Sequence, residues 1–298
     1  MERSPRYPDF LCIGAQKGGT TWLYKNLRNH PLVCMQHKEV NYFNFRGEGV
    51  ASMMRLPSWQ GPFRKRLLGK LFRQPWERSR WYLRYLFRTR TDAWYASLYA
   101  HCGDRVTGDV SPAYSTLPEA EVQHVANIMP GAKIILLLRD PVERAWSHAR
   151  MDFNKGLWPG FRGLQGPIEG VPLDALARHF QSDFSILRGS YTRMLRTWGT
   201  HFPPERFFVG FKEEIDRDPL DFIERVAGFL GLDLPGADGW PFVHQRVNAM
   251  PRQAMPAAVA EFLSRQYLPE LEALEKEPLV QGRPFVSEWR QRAEQRLG

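Results

Sequence analysis

The feature that most constrains this chain lies within its first 30 residues. Phe10-Leu-Cys-Ile-Gly14 is a short apolar run of the kind a buried parallel strand shows, and the glycine-rich turn Ala15-Gln-Lys-Gly-Gly19 follows at once. Thr20-Thr-Trp-Leu-Tyr-Lys-Asn-Leu27 comes next, with Leu23 and Leu27 four apart on one helix face. Asn29-His-Pro31 predicts the end of that helix. A strand that turns tightly into a helix is how a parallel sheet begins, and the rest of the chain continues the alternation. Apolar runs at Val40–Phe45, Arg105–Val110, Ala132–Leu138 and Arg206–Phe211 predict further strands. Helical periodicity marks Pro141–Asp152, Leu173–Phe184, Tyr191–His201, Pro219–Leu230 and Ala257–Glu275. The expected architecture is a single α/β domain over residues 1–298 with a mostly parallel sheet.

Two stretches interrupt the pattern. Gly156–Pro172 holds eight Gly or Pro residues in 17 and predicts a long surface loop, a form that active-site lids take. Pro62–Arg90 carries ten Lys or Arg against one acid, Glu77, so it accounts for the whole formal charge of +9. Leu67, Leu68, Leu71 and Phe72 share a helical face there, as do Tyr82, Tyr85 and Leu86, so a basic, aromatic helical insertion is expected at about 47–100. Hydrophobic residues are 43% and charged residues 24%, which excludes a disordered chain and a membrane bundle. No apolar stretch approaches the ~20 residues of a membrane span, and the polar N-terminus does not read as a signal peptide. The three cysteines, Cys12, Cys34 and Cys102, are odd in number and form no CxxC pair. They predict neither a disulfide framework nor a zinc site, and fit a reducing compartment.

Strand, glycine-rich turn and helix together make a phosphate cradle. Backbone N–H groups and the positive end of the helix point at the anion, and glycine permits close approach. Against the nucleotide-triphosphate template GxxxxGK[ST], Gly14, Gly19 and Thr21 fall in place, but Thr20 occupies the lysine position and the lysine has moved to Lys17. That arrangement suits a nucleotide with a simpler phosphate end. An ordinary glycine-rich βα turn is the bland alternative.

Gly14-Ala-Gln-Lys-Gly-Gly-Thr-Thr-Trp22 resembles the 5′-phosphosulfate loop of sulfotransferases that use 3′-phosphoadenosine-5′-phosphosulfate (PAPS). The resemblance implies that Lys17, Gly18, Gly19, Thr20 and Thr21 grip the 5′-phosphate and that Trp22 packs on the adenine. It also implies a P-loop-like three-layer fold, with a central, mostly parallel sheet flanked by helices. Ile134-Ile-Leu-Leu-Leu-Arg-Asp-Pro-Val-Glu-Arg-Ala-Trp-Ser147 is similar to the same family's 3′-phosphate site, with a serine eight residues past the arginine. Its physics stands alone. Asp140 can cap a helix, Pro141 suits the first helical position, and Arg139 with Ser147 can bond a phosphate. A simple ion pair of Arg139 with Glu143 is the alternative reading. The helix from Arg188 looks like the one whose tyrosine, here Tyr191, contacts the adenine side. Phe207–Glu214, Asp218-Pro219 and Phe229-Leu-Gly231 look like the family's continuation. Arg252, with Arg246 as an equal candidate, falls where a basic loop would close over the 3′-phosphate.

Sulfuryl transfer needs in-line attack by a hydroxyl or amine, a base near that acceptor, and positive charge at the leaving oxygen. In Met35-Gln-His-Lys-Glu-Val-Asn-Tyr-Phe43, Glu39 matches the glutamate base of the carbohydrate-type branch, and His37 matches the histidine of the aryl and steroid enzymes. Lys17 is the expected leaving-oxygen stabiliser. One departure stands out. The heparan-sulfate-modifying relatives place a lysine before Ser/Thr-Pro-Ala-Tyr, whereas Gly108-Asp-Val-Ser-Pro-Ala-Tyr114 has Val110 there. Lys17 or another cation must then carry that charge, and Ser111 is a further candidate for touching the cofactor.

The expected reaction moves the sulfuryl group of PAPS to a hydroxyl or amine of a glycan, lipid or small molecule, with adenosine 3′,5′-bisphosphate (PAP) as product and no metal required. Residues 62–90 are either a solvated lid or a surface for an anionic glycan or membrane, Trp76 and Trp81 being the interfacial anchors of the membrane reading. No nucleic acid is expected, since no reader motif accompanies the charge. A P-loop NTPase or kinase is the competing class, opposed by Thr20 and by Arg139 before Asp140. A cytoplasmic location, peripheral at a membrane surface if the anchors act, is the expectation.

Overall fold

The computed structural model describes residues 6–48, 81–85, 88–161, 164, 166–234, 239–245, 247 and 253–298. Five strands form one wholly parallel sheet: β1 (Phe10–Gly14), β2 (Val33–Cys34), β3 (Val106–Val110), β4 (Lys133–Leu138) and β5 (Phe207–Phe211), in the order β2-β3-β1-β4-β5. Side chains on a strand alternate between faces, so each buried run feeds two cores. Leu11, Ile13, Ile134, Leu136 and Leu138 meet Tyr191, Trp198, Leu271 and Trp289 on one side. Phe10, Cys12, Ile135 and Leu137 meet Leu23, Leu27, Phe222 and Val226 on the other. Each of these side chains stabilises the fold by roughly 1.5–3 kcal/mol on burial.

The helices that matter for the site start at the carboxyl ends of the strands. Helix α1 (Thr20–Asn29) follows β1 and stops where the Asn-His-Pro signal predicts. After α2 (Asp92–Ser97) and α3 (Glu119–Ile128), the helix that follows β4 is α4 (Pro141–Lys155); the Asp140 carboxylate accepts from the Val142 N–H at 3.0 Å and Pro141 occupies the first turn, as predicted. β1 has β3 on one side and β4 on the other, while β2, next in the chain, lies at the sheet edge. Crevices at such a reversal, beyond the carboxyl ends of the strands, are where open α/β sheets bind ligands.

Several expectations are corrected. Val40–Phe45 is not a strand: Glu39 and Asn41 hold left-handed φ values of 64° and 53°, which breaks an extended run, and the short strand is Val33–Cys34 instead. Leu173–Phe184 is two helices, Leu173–Phe180 and Asp183–Gly189, because Ser182 caps a new helix by accepting from the Ser185 N–H. The described residues of 156–172 are mostly exposed, as the surface-loop reading expects, and are pinned by buried Phe161, Ile168 and Val171 and by short 3-10 turns at Pro159–Phe161 and Ile168–Gly170. Cys34 and Cys102 form a disulfide, since their Cα atoms lie 5.7 Å apart across the β2–β3 edge, leaving Cys12 as the free, buried thiol. The cysteines therefore no longer point to a reducing compartment. Of the basic segment, residues 62–80, 86 and 87 lie outside the described residues; 81–85 is helical, with Trp81, Tyr82 and Tyr85 buried. Trp81 donates its indole N–H to the Leu98 carbonyl at 2.9 Å, so it is a core residue and not an interfacial anchor. Among the described residues, no helix is long and apolar enough to cross a membrane.

Candidate active site

The turn after β1 is shaped by its neighbours in the sheet. The Ala15 N–H donates to the Leu137 carbonyl at 2.8 Å, locking the turn onto β4, and Gly18 N–H donates to Ala15 at 2.9 Å. A Cβ on Gly18 would stand 2.3 Å from the Leu137 oxygen, so only glycine fits. Gly19, at φ 109°, then starts α1, whose first turn carries no acidic side chain and no side-chain cap. Thr20 is buried in that first turn and Thr21 is half-buried. A helix N-terminus left uncapped behind a glycine cradle is free to receive an anion.

Lys17 sits in this loop with a left-handed φ of 73°. Burial, and then the positive charges of Arg139, Lys155 and Arg150, bring its amine down to about 8. Arg139 ends β4, adjacent to β1, so the two motifs some 120 residues apart in sequence meet at neighbouring strand ends. Its ion pair with Glu143 is long, at 3.7 Å, and Glu143 is shared with Arg296 at 3.6 Å; the guanidinium is not locked there. Ser147 is half-buried two turns into α4. Cations gathered so closely that they repel one another make a local positive field, tempered here by Asp152 and Glu143.

The other side chains expected at the site have partners within the protein. Tyr191 opens the helix Tyr191–Gly199, is fully buried, and its hydroxyl donates to the Arg139 carbonyl at 2.8 Å; it braces the arginine from behind. Trp22 is buried edge-on against Phe222 and donates to the Val243 carbonyl at 2.9 Å. Ser111 is wholly buried and hydrogen-bonded to Asp109, so its hydroxyl is already engaged. Arg252 and Arg246 lie outside the described residues.

On the acceptor side, Glu39 is half exposed and paired with Lys38. Its N–H donates to the Val110 carbonyl at 2.9 Å, which hangs it from the carboxyl end of β3, beside β1. His37 is enclosed by Tyr85, Trp81 and Tyr82, with ring centroids 5.2, 6.0 and 6.3 Å away. Sequence reasoning missed Arg150 and Lys155, which lie on α4 beyond Ser147 and add to the cationic field. It also missed Asp109, whose signal was a carboxylate at the end of a buried apolar strand.

Among the described residues, two groups have the ligand types for a metal: Cys34, His101 and Cys102, and the buried trio His148, Asp152 and His179. The first is closed by the disulfide. In the second, His179 already bonds Asp152 at 3.0 Å. Burial, with the charges of Arg144, His179, Arg188 and Lys17, pushes His148 down to about 2, so the ring is neutral there.

A wholly parallel sheet whose first strand turns through glycines into a helix, beside a second strand that leads into a capped helix, defines an α/β protein of the P-loop-like kind. Residues 8–236 match the Sulfotransferase family, and the chain belongs to that family. It is 29% identical over 231 residues to heparan sulfate glucosamine 3-O-sulfotransferase 6 of Mus musculus, covering 76% of this chain and 53% of that protein. It is 26% identical over 234 residues to heparan sulfate glucosamine 3-O-sulfotransferase 3A1 of Homo sapiens, covering 78% of this chain and 46% of that protein. The chain thus spans about half the length of these curated relatives. In fold it resembles the sulfotransferase of Alicyclobacillus acidocaldarius, with a TM-score of 0.60 at 21% identity over 95% of this chain and 98% of that one. It also resembles the sulfotransferase domain of the Synechococcus olefin synthase, with a TM-score of 0.58 at 18% identity over 99% and 97%.

Proposed function

We propose that this protein transfers the sulfuryl group of PAPS to a hydroxyl or amine of a glycan, with Glu39 as the base. The observation that carries the reading is the meeting of Lys17 and Arg139 at adjacent strand ends, where their mutual repulsion helps to depress the lysine. Two clustered cationic centres suit a nucleotide with anionic groups at both its 5′ and 3′ ends. The loop amides with Lys17, Thr20 and Thr21 hold the 5′ end; Arg139 and Ser147 hold the 3′-phosphate. Glu39 takes the proton of the attacking acceptor, the new bond forms to sulfur, and the bond from sulfur to the bridging oxygen breaks. Lys17 neutralises the charge that develops on that oxygen, with no lysine at 110 to share the task. The enclosure of His37 in rings and the exposure of Glu39 favour the glutamate. The glycan class rests on the names of the curated relatives.

The test is a thermal shift with PAP against ATP plus Mg²⁺, followed by transfer of radiolabelled sulfate from PAPS to chemically de-O-sulfated heparin. A ligand at 100 times its dissociation constant adds about 2.7 kcal/mol of stability. Stabilisation by PAP alone, lost in Arg139→Ala, is the expected result. Stabilisation by ATP–Mg²⁺ alone would return the chain to the kinase class.

A further inference from the structure

The segment that carries Glu39 has no regular structure of its own, yet three of its backbone N–H groups, at 39, 41 and 42, are anchored. Glu39 N–H donates to the Val110 carbonyl at 2.9 Å. Asn41 N–H donates to Ser111 Oγ at 3.1 Å, and that hydroxyl donates to Asp109 Oδ1 at 2.6 Å. Tyr42 N–H donates to Tyr114 Oη at 2.8 Å, and that hydroxyl donates to Asp109 Oδ2 at 2.7 Å. Tyr95 adds a third donor to the same carboxylate at 3.0 Å. Two of the three amides therefore end, each through one hydroxyl, on a single carboxylate that is 0% exposed.

This arrangement has a purpose that packing alone does not supply. Glu39 and Asn41 are held at positive φ, where a residue with a Cβ is disfavoured and persists only if its surroundings fix it. A buried carboxylate is costly unless every lone pair is engaged, and an apolar residue in a strand would fill the same space without that cost. Here its acceptors are filled by donors whose own oxygens receive the amides of 41 and 42. The hydroxyls are relays: each has its proton aimed at Asp109, which leaves its lone pairs for the backbone. The polarity of the whole network is set by one charge.

We propose that Asp109 is a positioning residue for sulfuryl transfer. Through Ser111 and Tyr114 it fixes the backbone of residues 39–42 and so aims the Glu39 carboxylate at the acceptor. The proposal rests on the reading of Glu39 as the base. Asp109 touches neither donor nor acceptor in this role and acts only through the strap.

Tyr114→Phe and Ser111→Ala each cut one relay while keeping most of the side-chain volume, and Asp109→Asn removes the charge. Two readouts separate positioning from simple stability. The first needs no acceptor: amide hydrogen exchange with PAP bound. Exchange at residues 39–42 should quicken about ten-fold or more in Tyr114→Phe and in Ser111→Ala, with residues 15–22 unchanged. The second is the rate of PAP release from PAPS with de-O-sulfated heparin. It should fall about ten-fold in Tyr114→Phe at unchanged KM for PAPS, and the same substitution should add no further loss in a Glu39→Gln background. Unchanged exchange in the strap, a loss spread over the whole chain and over PAP affinity, or full additivity with Glu39→Gln would overturn the proposal. A Glu39→Gln enzyme that releases PAP at the wild-type rate would overturn the assignment of the base instead, a failure the exchange measurement separates from that of the network. Should Asp109→Asn fail to fold, the two hydroxyl variants still decide.

Discussion

The donor side and the acceptor side of this crevice are built in opposite ways. The proposed donor side is built from two contiguous stretches, strand, glycine turn and helix from 10 to 29 and strand, arginine, cap and helix from 133 to 155, docked on each other by the Ala15–Leu137 hydrogen bond. The acceptor side is assembled from distant parts. The proposed base, Glu39, sits on a strap whose amides are held by residues some seventy positions later and whose neighbour His37 is packed by residues 81–85. A site made of local geometry holds one ligand unchanged. A site made of long-range supports can be re-aimed by changes that leave the donor grip intact.

That contrast can be broken by substitution. Glu39→Gln should lower transfer by about 10²–10⁴-fold while PAP still binds as tightly as before; measuring both on one preparation separates the two sides, and a matching fall in PAP affinity would merge them. Lys17→Met should cost about 10²–10³ in kcat and weaken PAP as well, because the amine serves both binding and the leaving oxygen. Arg139→Ala should weaken PAP by about 10–100-fold in calorimetry, as expected for a charge-assisted phosphate contact.

A smaller effect comes from pH. Lys17 in the free protein titrates near 8, below its usual 10.5. PAP affinity should therefore stay level below pH 8 and fall above it, by at most about ten-fold per pH unit, and Lys17→Met should erase the fall. The sign for stability is the reverse. The unfolded chain binds more protons between about 8 and 10.5, so Lys17 contributes a gain in stability of the free protein as pH rises through that window.

The contiguous side was legible from residues. The Asp140-Pro141 helix start and the strand that leads to Arg139 follow from local residue types, and each takes the place in the fold that the sequence implies. Asp218-Pro219 and Gly231 likewise bound the helix Pro219–Leu230 as the sequence implied. What failed was the non-local part. Val40–Phe45 has the apolar residues of a strand, but its backbone is claimed by Ser111 and Tyr114 and bends through two left-handed residues. Trp81 looks like a membrane anchor in a basic run until its indole is seen to close a ring cluster around His37. Cys34 and Cys102 lie 68 residues apart, and nothing in that spacing announces a bond. Pairing of this kind is set by tertiary contacts, which periodicity does not report.

The same bond has a topological consequence. Between Cys34 and Cys102 runs a covalent ring that contains Glu39, the strap and the basic segment, and both of its ends are anchored at the β2–β3 edge of the sheet. A single backbone cut anywhere within that ring would release nothing; the two fragments would part only after reduction. The ring is a closed loop clasped to the edge of the sheet, and its two feet stay tied together whatever becomes of the backbone between them.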